Sequence, residues 1–247
     1  IGIFTACIVF PVSILLDGSL TKIERDRIFV IYIIAFFVIF FWAAYEQAGA
    51  SLTLFAAEQT DRTILGWEMP ASWIQSFNPF FVVILAAIMP SVWGALNKRG
   101  MEPASPTKQA IGLLLLSLGY LVICFGVKDV QPGVKVSLIW LTGLYFIHTM
   151  GEIALSPIGL SMVNKLTPVR FASLMMGIWY LSTSTANKFA GTLGGLYPED
   201  GKVKSILGYQ IATMYDFFML FVIMSGVASL ILFLLSKKLQ KMMHGVE

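Results

Sequence analysis

Charge is scarce in this 247-residue chain: Asp, Glu, Lys and Arg together make up 13% of it, about half the share of an ordinary soluble domain. With 57% apolar residues, it has too little polar surface to cover a water-soluble globule, and far too much apolar surface to stay disordered. The net charge of +3 is too small for the electrostatic footprint of a nucleic-acid binder. Cysteine is nearly absent. Cys7 and Cys124 lie inside apolar runs with no C-x-x-C partner, which excludes a disulfide-rich secreted module and predicts two inert buried thiols. No H-E-x-x-H pattern, metal cluster or nucleophile–base set occurs, so the sequence calls for no metal, no cofactor and no enzyme activity. The first residue is Ile1, and residues 1–16 lack the basic start and small-residue cleavage site of a signal peptide. The expectation is that the chain is the C-terminal portion of something longer.

What the sequence has is long apolar runs, the mark of a multi-spanning membrane protein. A spanning helix needs about 20 mostly apolar residues. Seven stretches qualify, the first marginally: 1–16, 28–55, 71–96, 110–127, 136–163, 171–196 and 213–236. All are too long for barrel strands of about ten alternating residues, and in lipid each span must satisfy its own backbone. The expected fold class is therefore all-α. Basic residues set the orientation. Lys22, Arg25, Arg27, Lys98, Arg99, Lys108, Lys165, Arg170, Lys237, Lys238 and Lys241 fall on one side. Arg62, Lys128, Lys135, Lys202 and Lys204 fall on the other, mostly beside Asp61, Asp129, Glu199 and Asp200. The six spans from Ile28 onward should begin and end in the cytoplasm, and the first should run from outside to inside. Trp67, in the largest external loop, reads as an interfacial anchor.

The informative residues are the polar ones at membrane depth, where a charge costs about 2.5–3.5 kcal/mol on insertion scales. Glu46 follows eighteen uncharged residues, Ile28 to Tyr45, which is about 27 Å of helix and places it toward the outer half. It reads either as a carboxylate held by solvent at the interface or as an ion-pair and proton site. Trp42 sits one turn earlier on the same face. Glu152 is mid-span by any boundary, and His148, Glu152 and Ser156 share a helix face with Pro157 just beyond, where a bend is expected. A carboxyl there is either a neutral packed acid or a functional group. His148 reads as a hydrogen-bonded core histidine or a proton relay. Lys188 reads as a snorkelling lysine or half of a buried ion pair. Asn78-Pro79 follows Gln75 and Ser76. Trp179, Ser182, Thr183 and Asn187 share a broad face, with small residues Ala186, Ala190, Gly191 and Gly194 suited to close helix packing.

Three segments carry a resemblance. Phe41-Trp42-Ala43-Ala44-Tyr45-Glu46-Gln47 resembles the seventh-helix signature of the proton-dependent oligopeptide transporters. Gly151-Glu152-Ile153-Ala154-Leu155-Ser156-Pro157-Ile158-Gly159-Leu160-Ser161, followed by Lys165-Leu166-Thr167-Pro168, resembles their tenth. Met176-Gly177-Ile178-Trp179-Tyr180-Leu181-Ser182 with Ala186-Asn187-Lys188 is similar to their eleventh. The resemblance implies the C-terminal six-helix bundle of a major facilitator fold over residues 20–247, preceded by a transmembrane linker helix, residues 1–19, between the transporter halves. It implies inward symport of di- and tripeptides with protons across the inner cell membrane, with the C-terminus cytoplasmic. The partners would be peptide, protons, lipid and the N-terminal half, and no nucleic acid. By the same resemblance, Glu152 and Asn78 would hold the peptide's amino end, and Trp42, Trp179 and Ser182 would line side-chain space. Glu46 would pair with an arginine of the other half, and Glu46 and Glu152 would couple protons to the gate. A zwitterionic peptide needs an anion at one end and a cation at the other, and this chain supplies acids at depth. Same-fold transport of another solute such as nitrate, and a non-transporting scaffold, are the alternatives. Two packing expectations follow: residues 1–16 lie loosely on the bundle, and Trp42, Glu46, Asn78, Glu152 and Trp179 converge on one concave face.

Overall fold

Two capping boxes start the first and last long apolar helices of the bundle. Thr21 accepts from the Glu24 amide while Glu24 accepts from the Thr21 amide at 2.8 Å, opening α2 (Lys22–Tyr45). Thr213 and Asp216 make the same reciprocal pair ahead of α8 (Met214–Met242). The structure, a computed structural model, describes residues 2–128, 130, 133–199 and 202–246. Ile1, Asp129 and Asp200, used in the span and loop assignments above, lie outside them. The remaining helices are α1 (Gly2–Leu15), α3 (Ser51–Glu58), α4 (Phe77–Lys98), α5 (Ser105–Val127), α6 (Leu138–Leu166) and α7 (Ala172–Gly194).

The expected span 28–55 is one run of chain but not one helix. A 3-10 segment, Glu46–Gly49, and a distorted Ala50 (φ −127°, ψ −99°) separate α2 from α3. The break persists because a side chain takes over the backbone's hydrogen bonds. Gln47 is fully buried; its Nε2 donates to the Ala43 carbonyl at 3.1 Å and the Ala190 carbonyl of α7 at 3.0 Å. Its Oε1 accepts from Ser51 at 2.7 Å. A buried amide with its groups satisfied is worth keeping where a helix is interrupted.

Two further boundaries differ from expectation. Residues 71–76 form a 3-10 turn before α4, because Pro79 has no amide proton and fits only the first turn of an α-helix. Val136–Ser137 pairs in parallel with Thr60–Asp61 before α6 begins. The same end of the bundle carries two hairpins, Thr63–Ile64 with Trp67–Glu68 and Lys204–Ile206 with Tyr209–Ile211. Among the described residues, five helical runs are long and apolar enough to cross a membrane. The 23-residue α7 is long enough, but Ser182, Thr183, Ser184, Thr185, Asn187 and Lys188 dilute its apolar character. The 14 residues of α1 give about 21 Å, short of a bilayer core.

At the core, α5 packs against α6 and α8. Glycines at seven-residue intervals on α5 make the α6 contact close: Gly112 faces Gly151 and Leu155, Gly119 faces His148, and Gly126 faces Trp140. Against α8, Ser117 donates to the Val222 carbonyl (2.9 Å), and Ser229 donates back to the Ala110 carbonyl (2.7 Å). α2 lies against α7 and α8, α4 leans on α6, and α1 runs along α7 with most of its surface exposed. Cys7 touches Thr185 there at 3.1 Å, and Cys124 is buried; both are free thiols. At the opposite end of the bundle, Arg170 bonds Glu24 (3.1 Å), Asp26 meets His244 (2.8 Å), and Arg27 donates to the Met243 carbonyl (3.1 Å).

The exposed Glu199 accepts from Lys202 at 2.7 Å and from Lys204 at 3.0 Å, and these bonds hold its pKa at about 2 rather than 4.5. A carboxyl whose pKa is depressed by folding contributes above its ordinary pKa and loses that contribution as the pH falls through the folded value. Amide protection in the Lys204–Ile206 hairpin, read by hydrogen exchange, is therefore expected to hold from neutral pH down to about 5 and to decline below that.

Candidate functional site

Four helices converge at the break in α2. Tyr45 is the last residue of α2, immediately before Glu46. Its hydroxyl donates to Glu152 Oε2 of α6 at 2.5 Å. Asn78, in the first turn of α4, shares its two amide protons among three acceptors: the same oxygen at 2.9 Å, Thr149 Oγ1 at 3.2 Å and the Tyr45 oxygen. Thr149 spends its own proton on the Tyr145 carbonyl at 2.7 Å and so offers Asn78 only lone pairs. The Tyr45 proton and an Asn78 proton converge on Glu152 Oε2, an arrangement suited to a carboxylate, which only accepts. Glu152 Oε1 has no hydrogen-bond partner among the described residues.

The ring of Tyr45 is held on three sides. Phe41 stacks on it with centroids 5.5 Å apart, Trp42 meets it edge-on at 5.4 Å, and His148 lies 6.2 Å away. Tyr120 of α5, wholly buried, donates to the Ala44 carbonyl at 2.7 Å and so fixes the backbone beside Tyr45. Tyr120→Phe removes that bond and leaves the ring packing in place. The expected cost is about 1 kcal/mol, seen as a small fall in the thermal midpoint of the full-length protein.

The structure joins Asn78 and Glu152 directly and brings Trp42 to them through Tyr45. It does not bring Glu46 into the hydrogen-bond cluster: Glu46 is exposed one residue beyond Tyr45, with no ion pair among the described residues. Trp179 and Ser182 also stand apart. Gly159, two turns along α6 from Glu152, has no side chain, and the Trp179 ring fills that space against Gly159 and Gln109. Ser182 is buried and donates to the Trp179 carbonyl of its own helix at 2.6 Å. The expected convergence of five residues is thus met by three. His148 is a core histidine, 3% exposed; its Nε2 lies 3.1 Å from the Leu116 carbonyl and therefore carries the proton. Lys188 is exposed, with no ion pair among the described residues.

Two residues of the quoted motifs have roles that reading did not assign. Tyr45 lies in an aromatic stretch, and its partner is 107 residues away in the chain. Gln47 secures the helix break. Both sit in the run from Phe41 to Gln47, so the signal was their place in the motif and not their chemistry. Larger cavities lie at the two ends of the bundle. One of about 650 Å³ is lined by Lys108, Pro157, Ser161 and Lys165 among others, and one of about 790 Å³ by Glu58, Tyr197, Glu199 and Lys204 among others. Neither includes Glu152; the cluster lies on a half-exposed face shared by α2, α4 and α6.

Comparison with known proteins identifies the family. Residues 6–207 match the model of the POT family. The peptide transporter YePEPT of Yersinia enterocolitica is 37% identical over 72% of this chain and 35% of its own length. The dipeptide and tripeptide permease A of Escherichia coli is 33% identical over 70% of this chain and 34% of its own. A crystal structure of a POT peptide transporter in complex with sulfate superposes with a TM-score of 0.84 at 28% identity, covering 98% of this chain and 46% of that one. The chain thus spans less than half the length of these relatives. A family-model match over residues 6–207 and a fold shared across nearly its whole length place this all-α chain in the POT family.

Proposed function

We propose that the full-length transporter carries di- and tripeptides inward with protons across the inner cell membrane, with this chain as its C-terminal half. Residues 20–247 form the six-helix bundle and residues 1–19 the linker helix, which accords with the exposed position of α1 along α7. The distribution of Lys and Arg supports a cytoplasmic C-terminus.

The observation that carries this reading is the state of Glu152. Its Oε2 is held by Tyr45 and Asn78, which fixes the side chain's direction, and Oε1 is left to accept from a ligand. A peptide ammonium offers three N–H donors and a full positive charge, which a fixed carboxylate in a water-poor face binds through charge-assisted hydrogen bonds. Asn78 supplies the second polar contact at the amino end, and Trp42 borders the adjoining side-chain space. Glu46, exposed beside the α2 break, pairs with a cation of the other half. The peptide's carboxylate is met there too, since the acids of this cluster would repel it. Protonation of Glu46 would cancel such a pair and free the gate, which is how proton entry would drive opening.

Calorimetric titration of the purified full-length protein tests the assignment. A free dipeptide should bind, and its N-acetylated form should bind at least tenfold more weakly, the loss of one charge-assisted contact. Equal binding of both, or binding of nitrate in place of either, would remove the assignment.

A further inference from the structure

We infer that the Tyr45 hydroxyl is a built-in competitor of the substrate's ammonium group at Glu152, a positioning residue that sets affinity and promotes release. The inference rests on the reading of Glu152 as the partner of the peptide's amino end. Tyr45 donates to Glu152 Oε2 at 2.5 Å. A carboxylate oxygen that already accepts from both Tyr45 and Asn78 is a weaker acceptor for a third donor, and the ammonium draws on both oxygens of the same charge. An ammonium at Oε1 therefore weakens the Tyr45 bond through the shared charge, and recovery of that bond helps to expel the peptide.

The position of Tyr45 in the fold makes this exchange more than a local event. It is the last residue of α2, next to the 3-10 segment Glu46–Gly49 and the distorted Ala50. A 3-10 interruption inside a long helical run is where such helices bend. A change of bend at Glu46–Ala50 carries the phenol toward or away from Glu152, and the occupancy of Glu152 feeds back on the bend. The cage of Phe41, Trp42 and His148 holds the ring itself, so loss of the hydroxyl alone leaves the packing intact.

The test is Tyr45→Phe in the full-length transporter, with calorimetric binding and liposome uptake of a free dipeptide. Removing a competitor tightens binding, so the dissociation constant and KM should fall by about two- to tenfold, while kcat falls because release is slowed. A structural defect would move affinity the other way. In a Glu152→Gln background, the second change Tyr45→Phe should leave dipeptide affinity within about twofold, because the charge both groups compete for is gone. Unchanged or weakened binding in Tyr45→Phe, beside a Glu152→Gln variant that has lost uptake, overturns the latch alone. A Glu152→Gln variant with normal uptake overturns the underlying assignment, and the latch with it.

Discussion

Glu152→Gln is expected to cut uptake of unmodified dipeptides by about tenfold to a hundredfold while the protein still folds and inserts. Glutamine keeps the shape, and its amide oxygen can still accept from Tyr45 and Asn78, the two donors now on Oε2. What it removes is the charge. A hydrogen bond to a charged group contributes roughly 1.5–3 kcal/mol where water is restricted, and the expected loss is that quantity expressed as affinity. An N-acetylated dipeptide, with no ammonium, should lose little on the same substitution. Uptake kinetics with both substrates in parent and variant decide the matter. Normal transport of free dipeptides by Glu152→Gln, or retention of the parent's discrimination between free and blocked peptides, would show that Glu152 does not read the amino terminus.

Gly151→Ala should destabilise the protein by about 1–3 kcal/mol, although it adds one methyl group to a helix where alanine is the better residue. The reason is the α5–α6 contact. A Cβ at Gly151 would stand 2.8 Å from the backbone carbonyl oxygen of Gly112, and a carbonyl within a helix has no rotamer by which to move aside. The helices must separate, and the separation reaches the next residue, Glu152. Gly191→Ala is the matching control, since nothing lies within 4 Å of the position its Cβ would take. That substitution should leave stability unchanged or raise it by up to about 1 kcal/mol. Thermal midpoints of the two variants in detergent are expected to move in opposite directions. A Gly151→Ala protein as stable as Gly191→Ala would mean that the close approach of α5 and α6 is not maintained.

Apolar run length and lone acids were enough to read the helical class, the approximate spans and the prominence of Glu152, because lipid leaves the backbone few choices and penalises charge at depth. Trp42 was legible as a member of a motif, and Asn78 only as a polar residue whose role came from the resemblance; their contacts come from helices far apart in sequence. Hydropathy does not register the break at Glu46–Ala50, since Gln47 and Ser51 replace backbone bonds with side-chain bonds inside an unbroken apolar stretch. The spacing of Gly112, Gly119 and Gly126 is visible in the sequence, but its meaning depends on which helix faces it. Trp179 was given a lining role through the family resemblance. The absent side chain of Gly159 turns the same ring into packing. Ser182 illustrates the general difficulty, because a helical serine can satisfy itself on its own backbone and need not face a ligand.

Uptake of a labelled dipeptide by the full-length protein in liposomes, under an imposed pH gradient, tests the proposed role most directly. With the outside acidic, the dipeptide should accumulate above its external concentration, accumulation should collapse when a protonophore removes the gradient, and Glu152→Gln should abolish most of it. Equilibration without accumulation, or gradient-driven accumulation of nitrate with no dipeptide uptake, would contradict proton-coupled peptide symport.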